Sequence, residues 1–223
     1  MKKLLPVIAL AIFAVLGGTW FLTQSSDPSD PILGSALAQE AGEIDTSTVV
    51  EMVLGNPDAA VEVIEYASFT CPHCAAFHAN QFQELKANYI DTGLIKFVYR
   101  EIYFDRFGLW ASMVARCGGE MRFFGISDIL YDQQREWIAG GQDPALIAGN
   151  LRRIGLTAGL DGAQVDACLS DPTTAQTLVA WFEENSARDE ITSTPSFIIN
   201  DEKFSNMSYS DFAAVLDERL AAQ

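Results

Sequence analysis

Residues 63–78 read VIEYASFTCPHCAAFH, and the change of pattern inside them decides the fold. Residues 60–69 mix Val61, Val63 and Ile64 with glutamates and run into aromatics, which is a strand entering a core. Beyond Cys71, the side chains Phe77, Phe82, Leu85 and Tyr89 recur near helical spacing, and Gly93 ends that run. Residues 94–102, LIKFVYREI, return to β-formers. A strand-helix-strand run of this length implies parallel strands joined by a crossover helix, so the fold is α/β.

From Phe107 to about Ile191 no strand pattern interrupts a series of helix-period segments with Gly, Asp or Pro at their joints. The next stretch returns to β, with Phe197, Ile198 and Ile199 as a buried strand. A helical sub-domain inserted at about 107–191 is therefore expected. The chain closes with a helix whose start pairs Ser208 with Asp211 in a capping pattern, and whose Phe212, Val215, Leu216 and Leu220 share a face.

The 223 residues are 49% hydrophobic, enough for one globular domain with a core of its own. The formal charge is −16; residues 1–38 hold two lysines and two aspartates, so the remainder is also −16. Such a surface opposes phosphate backbones and anionic lipid, and nucleic-acid partners are excluded. Lys2 and Lys3 precede an uncharged apolar run from Leu4 to Leu22, the layout of an export signal or an N-terminal membrane anchor over 1–23. A cleavage-like Ala36-Leu37-Ala38 lies well beyond it. Residues 24–43 read as a linker and 44–223 as the folded domain. Membrane contact is expected only through the N-terminal segment. In an exported chain, four cysteines can persist as disulfides.

Cys71 falls at the helix start, and Pro72 fits the first helical position, where its missing N–H costs nothing. A free thiol ionises near pH ~8.5, and a helix N-terminus or a nearby cation lowers this to ~3.5–7.5. The helix dipole supplies at most ~2 kcal/mol. One pKa unit is ~1.4 kcal/mol, so the dipole accounts for about one and a half units. His73 is the candidate for the rest, together with backbone N–H groups of the same turn. Cys71 is then the exposed thiol that exchanges disulfides with a substrate, and Cys74, one turn in, the buried resolving thiol. For Glu65 two readings stand: a base that takes the Cys74 proton, through water, or a surface-facing strand glutamate. A metal reading would use Cys71, Cys74 and His78. Structural zinc wants four ligands, and the only other histidine, His73, lies inside the cysteine pair, so no metal or cofactor is expected.

The segments VIEYASFTCPHC (63–74) and TSTPSFIIN (192–200), with the helical stretch between them, resemble the thioredoxin-fold DsbA family of exported thiol-disulfide oxidoreductases over roughly residues 55–220. The resemblance implies a thioredoxin-like fold, catalysis by Cys71 and Cys74, and a cis Pro195 whose neighbours, Thr194 among them, form a backbone platform for substrate. It implies a periplasmic protein that acts on unfolded or newly exported cysteine-containing proteins and is re-oxidised by a quinone-linked membrane oxidase. Two departures stand out. Thr194 replaces the valine of the prototype oxidase and is the residue type of the superfamily's isomerases, and Asn200 is followed by Asp201-Glu202 in place of a glycine turn. An isomerase or reductase with the same active site is thus an alternative, and a non-redox chaperone or assembly factor on this fold is another. Residues 39–54 are short for a dimerisation domain, so a monomer is expected. Cys117 and Cys168, fifty-one residues apart in the helical insertion, are read as a structural disulfide, the alternative being two buried free thiols.

Overall fold

The computed structural model describes residues 44–223, so the expected signal or anchor and the linker lie outside the described residues. Strand β2 (Glu62–Ala67) is central: it runs parallel to β3 (Lys96–Glu101) and antiparallel to β4 (Ser196–Ile199). Strand β1 (Met52–Gly55) extends the sheet beside β3, and β5 (Glu202–Ser205) extends it beside β4, in the order β1-β3-β2-β4-β5. The parallel β2–β3 pair is joined by helix α1 (Pro72–Ala79), helix α2 (Gln81–Leu85) and a π-helical turn (Lys86–Ile90). This is an α/β thioredoxin fold with a helical insertion.

Alternation along β2 and β3 sorts their side chains between two faces. Val63, Ala67, Phe97 and Tyr99 enter the main core, whereas Ile64, Tyr66, Val98 and Ile102 build a smaller cluster on the other face. Glu65 shares the parity of Val63 and Ala67, lies in register with Tyr99 and Phe197, and is fully buried. The surface-facing reading of Glu65 is thereby excluded.

Between β3 and β4 the chain forms α3 (Arg106–Cys117), α4 (Glu120–Asp132), α5 (Gln134–Ile138), α6 (Pro144–Thr157), α7 (Gly162–Leu169) and α8 (Pro172–Arg188). Asp105, Asp143, Asp161 and Asp171 cap four of these, each carboxylate accepting from two backbone N–H groups, and prolines follow two of the caps. Helix α9 (Tyr209–Ala221) starts at Ser208, whose hydroxyl accepts from the Asp211 N–H and donates to the Asp211 carboxylate. Cys117 and Cys168 are bonded, tying the end of α3 to α7. Among the described residues no helix is long and apolar enough to cross a membrane.

The β4–β5 hairpin was not apparent in the sequence. Its two-residue turn, Asn200-Asp201, has positive φ at both positions, 44° and 68°, as a type I′ turn requires, and Asn and Asp tolerate that region without glycine. Asn200 also anchors the turn to β2: its side-chain oxygen accepts from the Glu62 N–H at 2.8 Å.

A buried ion pair helps fasten the helical layer to the sheet. Arg116 of α3 donates to both oxygens of buried Glu101 at 2.6 and 2.7 Å, and to the Val50 carbonyl at 2.8 Å. Its guanidinium lies over the rings of Trp181 and Phe123. Removing one partner of such a pair strands the other charge. Arg116→Met is expected to cost about 3–5 kcal/mol in urea unfolding, whereas Arg152→Met, at the exposed pair with Asp166, should leave the unfolding midpoint nearly unchanged.

Candidate active site

The site is built where β2 ends and α1 begins. Cys71 is the N-cap residue of α1 with an extended backbone (φ −82°, ψ 118°), Pro72 occupies the first turn, and the Cys71 carbonyl accepts from the Ala75 N–H at 3.1 Å. From the helical layer, the Gln134 side chain donates to the Phe69 and Cys71 carbonyls, both at 2.9 Å, and so fixes the loop that carries the nucleophile. Gly108 of α3 packs against the same loop, where an added Cβ would sit 3.4 Å from the hydroxyls of Ser68 and Thr70.

The Thr194–Pro195 peptide is cis and lies against this turn. When protonated, the Cys71 thiol donates to the Thr194 carbonyl, which lies 3.6 Å from the sulfur. The Thr194 hydroxyl is buried with no other hydrogen-bond partner, which leaves it as a donor towards the Cys71 sulfur. Residues from two distant parts of the sequence, 71–74 and 194–195, thus meet at one sulfur.

The two thiols are free and differ sharply. The Cys71 pKa is lowered from 9.0 to about 5, chiefly because the Cys74 thiol donates to its sulfur. Burial opposes the shift, and the Thr194 side chain and the backbone N–H groups of Cys74 and His73 add to it. Cys74 is fully buried, and burial first of all, then its hydrogen bond to Cys71 and the charge of Glu65, push its pKa far up. At neutral pH Cys71 is a thiolate and Cys74 keeps its proton. One sulfur is a ready nucleophile and leaving group; the other is protected until the first is engaged.

His73 differs from expectation: its ring and Pro72 are exposed, and what reaches the sulfur from His73 is its backbone N–H. Cys71 is also more enclosed than a helix-start position suggests, at 6% exposure, because the Thr194 platform covers it. Glu65 lies beneath the helix and accepts from His78 Nε2 at 3.0 and 3.2 Å. Tyr99 and Tyr131 hydrogen-bond through their hydroxyls at 2.5 Å, and His78 stacks on the Tyr131 ring. Gln134 and this tyrosine pair escaped sequence reading because no local pattern marks them. His78 lies four residues after Cys74, on the same helix face, and that spacing was legible. Cys117 and Cys168 belong to the helical layer and supply nothing to this turn.

A family model described as Thioredoxin matches residues 47–218. The chain belongs to the thioredoxin family, in its DsbA-like branch. It is 36% identical over 171 residues to a Rickettsia bellii protein named as a protein-disulfide oxidoreductase, covering 76% of this chain and 64% of that protein. The chain therefore spans less than two thirds of the length of the first curated relatives it matches. Among solved structures, Wolbachia pipientis alpha-DsbA1 superposes with a TM-score of 0.70 at 27% identity, over 77% of this chain and 92% of that one. A protein-disulfide isomerase from Novosphingobium aromaticivorans shares the fold, with a TM-score of 0.68 at 24% identity, over 76% and 97% of the two chains.

Two outcomes follow for this DsbA-like site. Thr194→Val removes a hydroxyl donor but keeps the carbonyl, and should raise the Cys71 pKa by up to about one unit in a thiolate absorbance titration. The second concerns stability. Because the Cys71 pKa is depressed on folding, its contribution to the reduced form is fully present above the free value of 9.0 and is lost as pH falls through about 5. Cys74, shifted upwards, stays protonated throughout that window. The Tm of the reduced chain relative to the oxidised chain should therefore rise between pH 4 and pH 8.

Proposed function

We propose that the chain is an exported thiol-disulfide oxidoreductase acting as an oxidase, which introduces disulfides into unfolded or newly exported proteins through Cys71 and Cys74. The feature that carries this reading is the asymmetry of the two sulfurs: Cys71 caps the helix beside the Thr194 carbonyl with its pKa lowered, and Cys74 is fully buried behind it with its pKa raised. Stabilising that thiolate stabilises the dithiol and makes the disulfide a stronger oxidant.

In the oxidised chain a substrate thiolate attacks Cys71 Sγ. A Cys71–substrate bond forms, the Cys71–Cys74 bond breaks, and the electron pair leaves on Cys74, which takes up a proton. A second substrate thiolate then attacks the substrate sulfur of the mixed disulfide, and Cys71 departs as a thiolate. Two electrons have passed from the substrate dithiol to the Cys71–Cys74 dithiol, and the substrate holds a disulfide. The edge beside Thr194-Pro195 holds the substrate backbone during the exchange. By family resemblance, a quinone-linked membrane oxidase returns the dithiol to the disulfide in the periplasm, and residues 1–23 direct or anchor the chain there.

A second reading, isomerase, is favoured by Thr194 before the cis proline. Two substrates separate the readings. Stoichiometric oxidised protein should restore activity to a reduced, unfolded ribonuclease without another oxidant, and Cys71→Ala should abolish this. Catalytic reduced protein that rescues scrambled ribonuclease, with no oxidation of the reduced substrate, would replace the oxidase reading with the isomerase.

A further inference from the structure

The nucleophile stands on a short piece of chain that is held from outside. Residues Ser68 to Cys71 form a tight turn, closed by the Cys71 N–H donating to the Ser68 carbonyl at 3.0 Å, and helix α1 begins at the next residue. Pro72 locks its own φ at about −65°, and the peptide bond before it is planar. The main free backbone torsion between the sulfur-bearing residue and the helix is therefore ψ of Cys71, here 118°. That torsion places Cys71 Sγ relative to the His73 and Cys74 N–H groups and the Cys74 thiol, which all lie on the helix side of it. It also sets where the Cys71 carbonyl points.

Gln134 grips that carbonyl. Its amide nitrogen donates to the Cys71 and Phe69 carbonyls, both at 2.9 Å, from a side chain that is 6% exposed. The Cys71 carbonyl also accepts from the Ala75 N–H, a bond made within α1, whereas the Phe69 carbonyl accepts from no backbone N–H among the described residues. One planar amide thus ties two carbonyls of the active-site turn to a frame outside both β2 and α1. A buried amide is costly unless its hydrogens are used, and here both acceptors belong to the turn that carries the nucleophile.

The frame is carried by two further buried donors. Helix α5 has five residues and no side-chain cap, too short to hold itself. Trp137 Nε1 donates to the Leu130 carbonyl of α4 at 2.9 Å, and the Asn150 amide of α6 donates to the Trp137 carbonyl at 3.0 Å. Trp137 and Asn150 are both buried. A series of side-chain-to-backbone bonds therefore runs from α6 through α5 to the turn at Cys71.

We propose that Gln134 is a positioning residue of the thiol-disulfide exchange: by holding the Phe69 and Cys71 carbonyls from the helical layer, it fixes the Cys71 torsion that keeps the sulfur within reach of its donors on α1. The inference rests on the redox reading of Cys71 and Cys74 given above. The helical layer then does more than cover the core, because it sets how well the first turn of α1 stabilises the Cys71 thiolate.

The test compares full-length wild type with Gln134→Met, which fills similar space without a donor. Two quantities are read: the Cys71 pKa by thiolate absorbance, and the equilibrium of Cys71–Cys74 with glutathione. Gln134→Met should raise the Cys71 pKa by about one unit. The equilibrium should move up to about tenfold towards the disulfide, or ~30 mV lower in potential. Asn150→Leu, one bond further out, should shift both in the same direction by less. Arg116→Met is the control for stability alone, since it loosens the same layer but bonds to neither α5 nor the turn. It should unfold more easily with an unchanged Cys71 pKa. A folded Gln134→Met chain with wild-type pKa and equilibrium would overturn the inference, as would an equal pKa shift in Arg116→Met. Failure of the wild-type pair to equilibrate with glutathione would sink the redox reading instead, whatever the pKa values. Should Gln134→Met not fold, the side-chain amide hydrogens of wild-type Gln134 decide, and both should exchange with solvent far more slowly than those of exposed Gln142. Exchange as fast as at Gln142 would overturn the proposal.

Discussion

The hydrogen bond from the Cys74 thiol to the Cys71 sulfur rests on a difference in burial that the fold imposes. Cys74 is sealed beneath α1, where ionisation is prohibitive, so its proton stays and is donated outwards. Cys71, at the rim, receives that proton's field and those of the backbone N–H groups in the first turn. A pair of identical thiols is thereby split into a thiolate and a thiol.

Much of the remaining structure holds that division in place. The strand β2 delivers the chain to the helix start, Gln134 secures the loop from the helical layer, and the Thr194 carbonyl and hydroxyl cover the sulfur from the far end of the sequence. The layer that supplies Gln134 is itself fixed to the sheet by Arg116 and Glu101 and closed by the Cys117–Cys168 bond. For a loop of fifty-one residues such a bond contributes about 4 kcal/mol in the chain-entropy model. Beneath the site, Glu65 and His78 are hydrogen-bonded to each other within an aromatic shell.

What the sequence made legible was local. The switch from strand to helical spacing at Cys71, Pro72 in the first turn, the Asp-led helix starts and the Ser208–Asp211 cap each follow from residues within a few positions of one another. The edge strands β1 and β5 were missed because they are four residues long and carry no alternation of their own; pairing with β3 and β4 makes them strands. His73 drew attention as the residue between the cysteines, yet it is exposed and reaches the sulfur through its backbone N–H, and the main donor to Cys71 is Cys74 itself. Glu65 could not be assigned a face until the register with Tyr99 and Phe197 was known. His78 read as a weak metal ligand because its partner, thirteen residues upstream, becomes a neighbour only in the folded chain.

The most direct test of the asymmetry is the equilibrium reduction potential of Cys71–Cys74, titrated against glutathione with Cys117–Cys168 followed separately. Each ~30 mV is a tenfold change in the equilibrium of a two-electron couple. The account predicts a potential well above thioredoxin's about −270 mV and above the glutathione couple, because the thiolate favours the dithiol. A value at or below that of thioredoxin would contradict it, since a Cys71 thiolate held as described cannot coexist with so stable a disulfide.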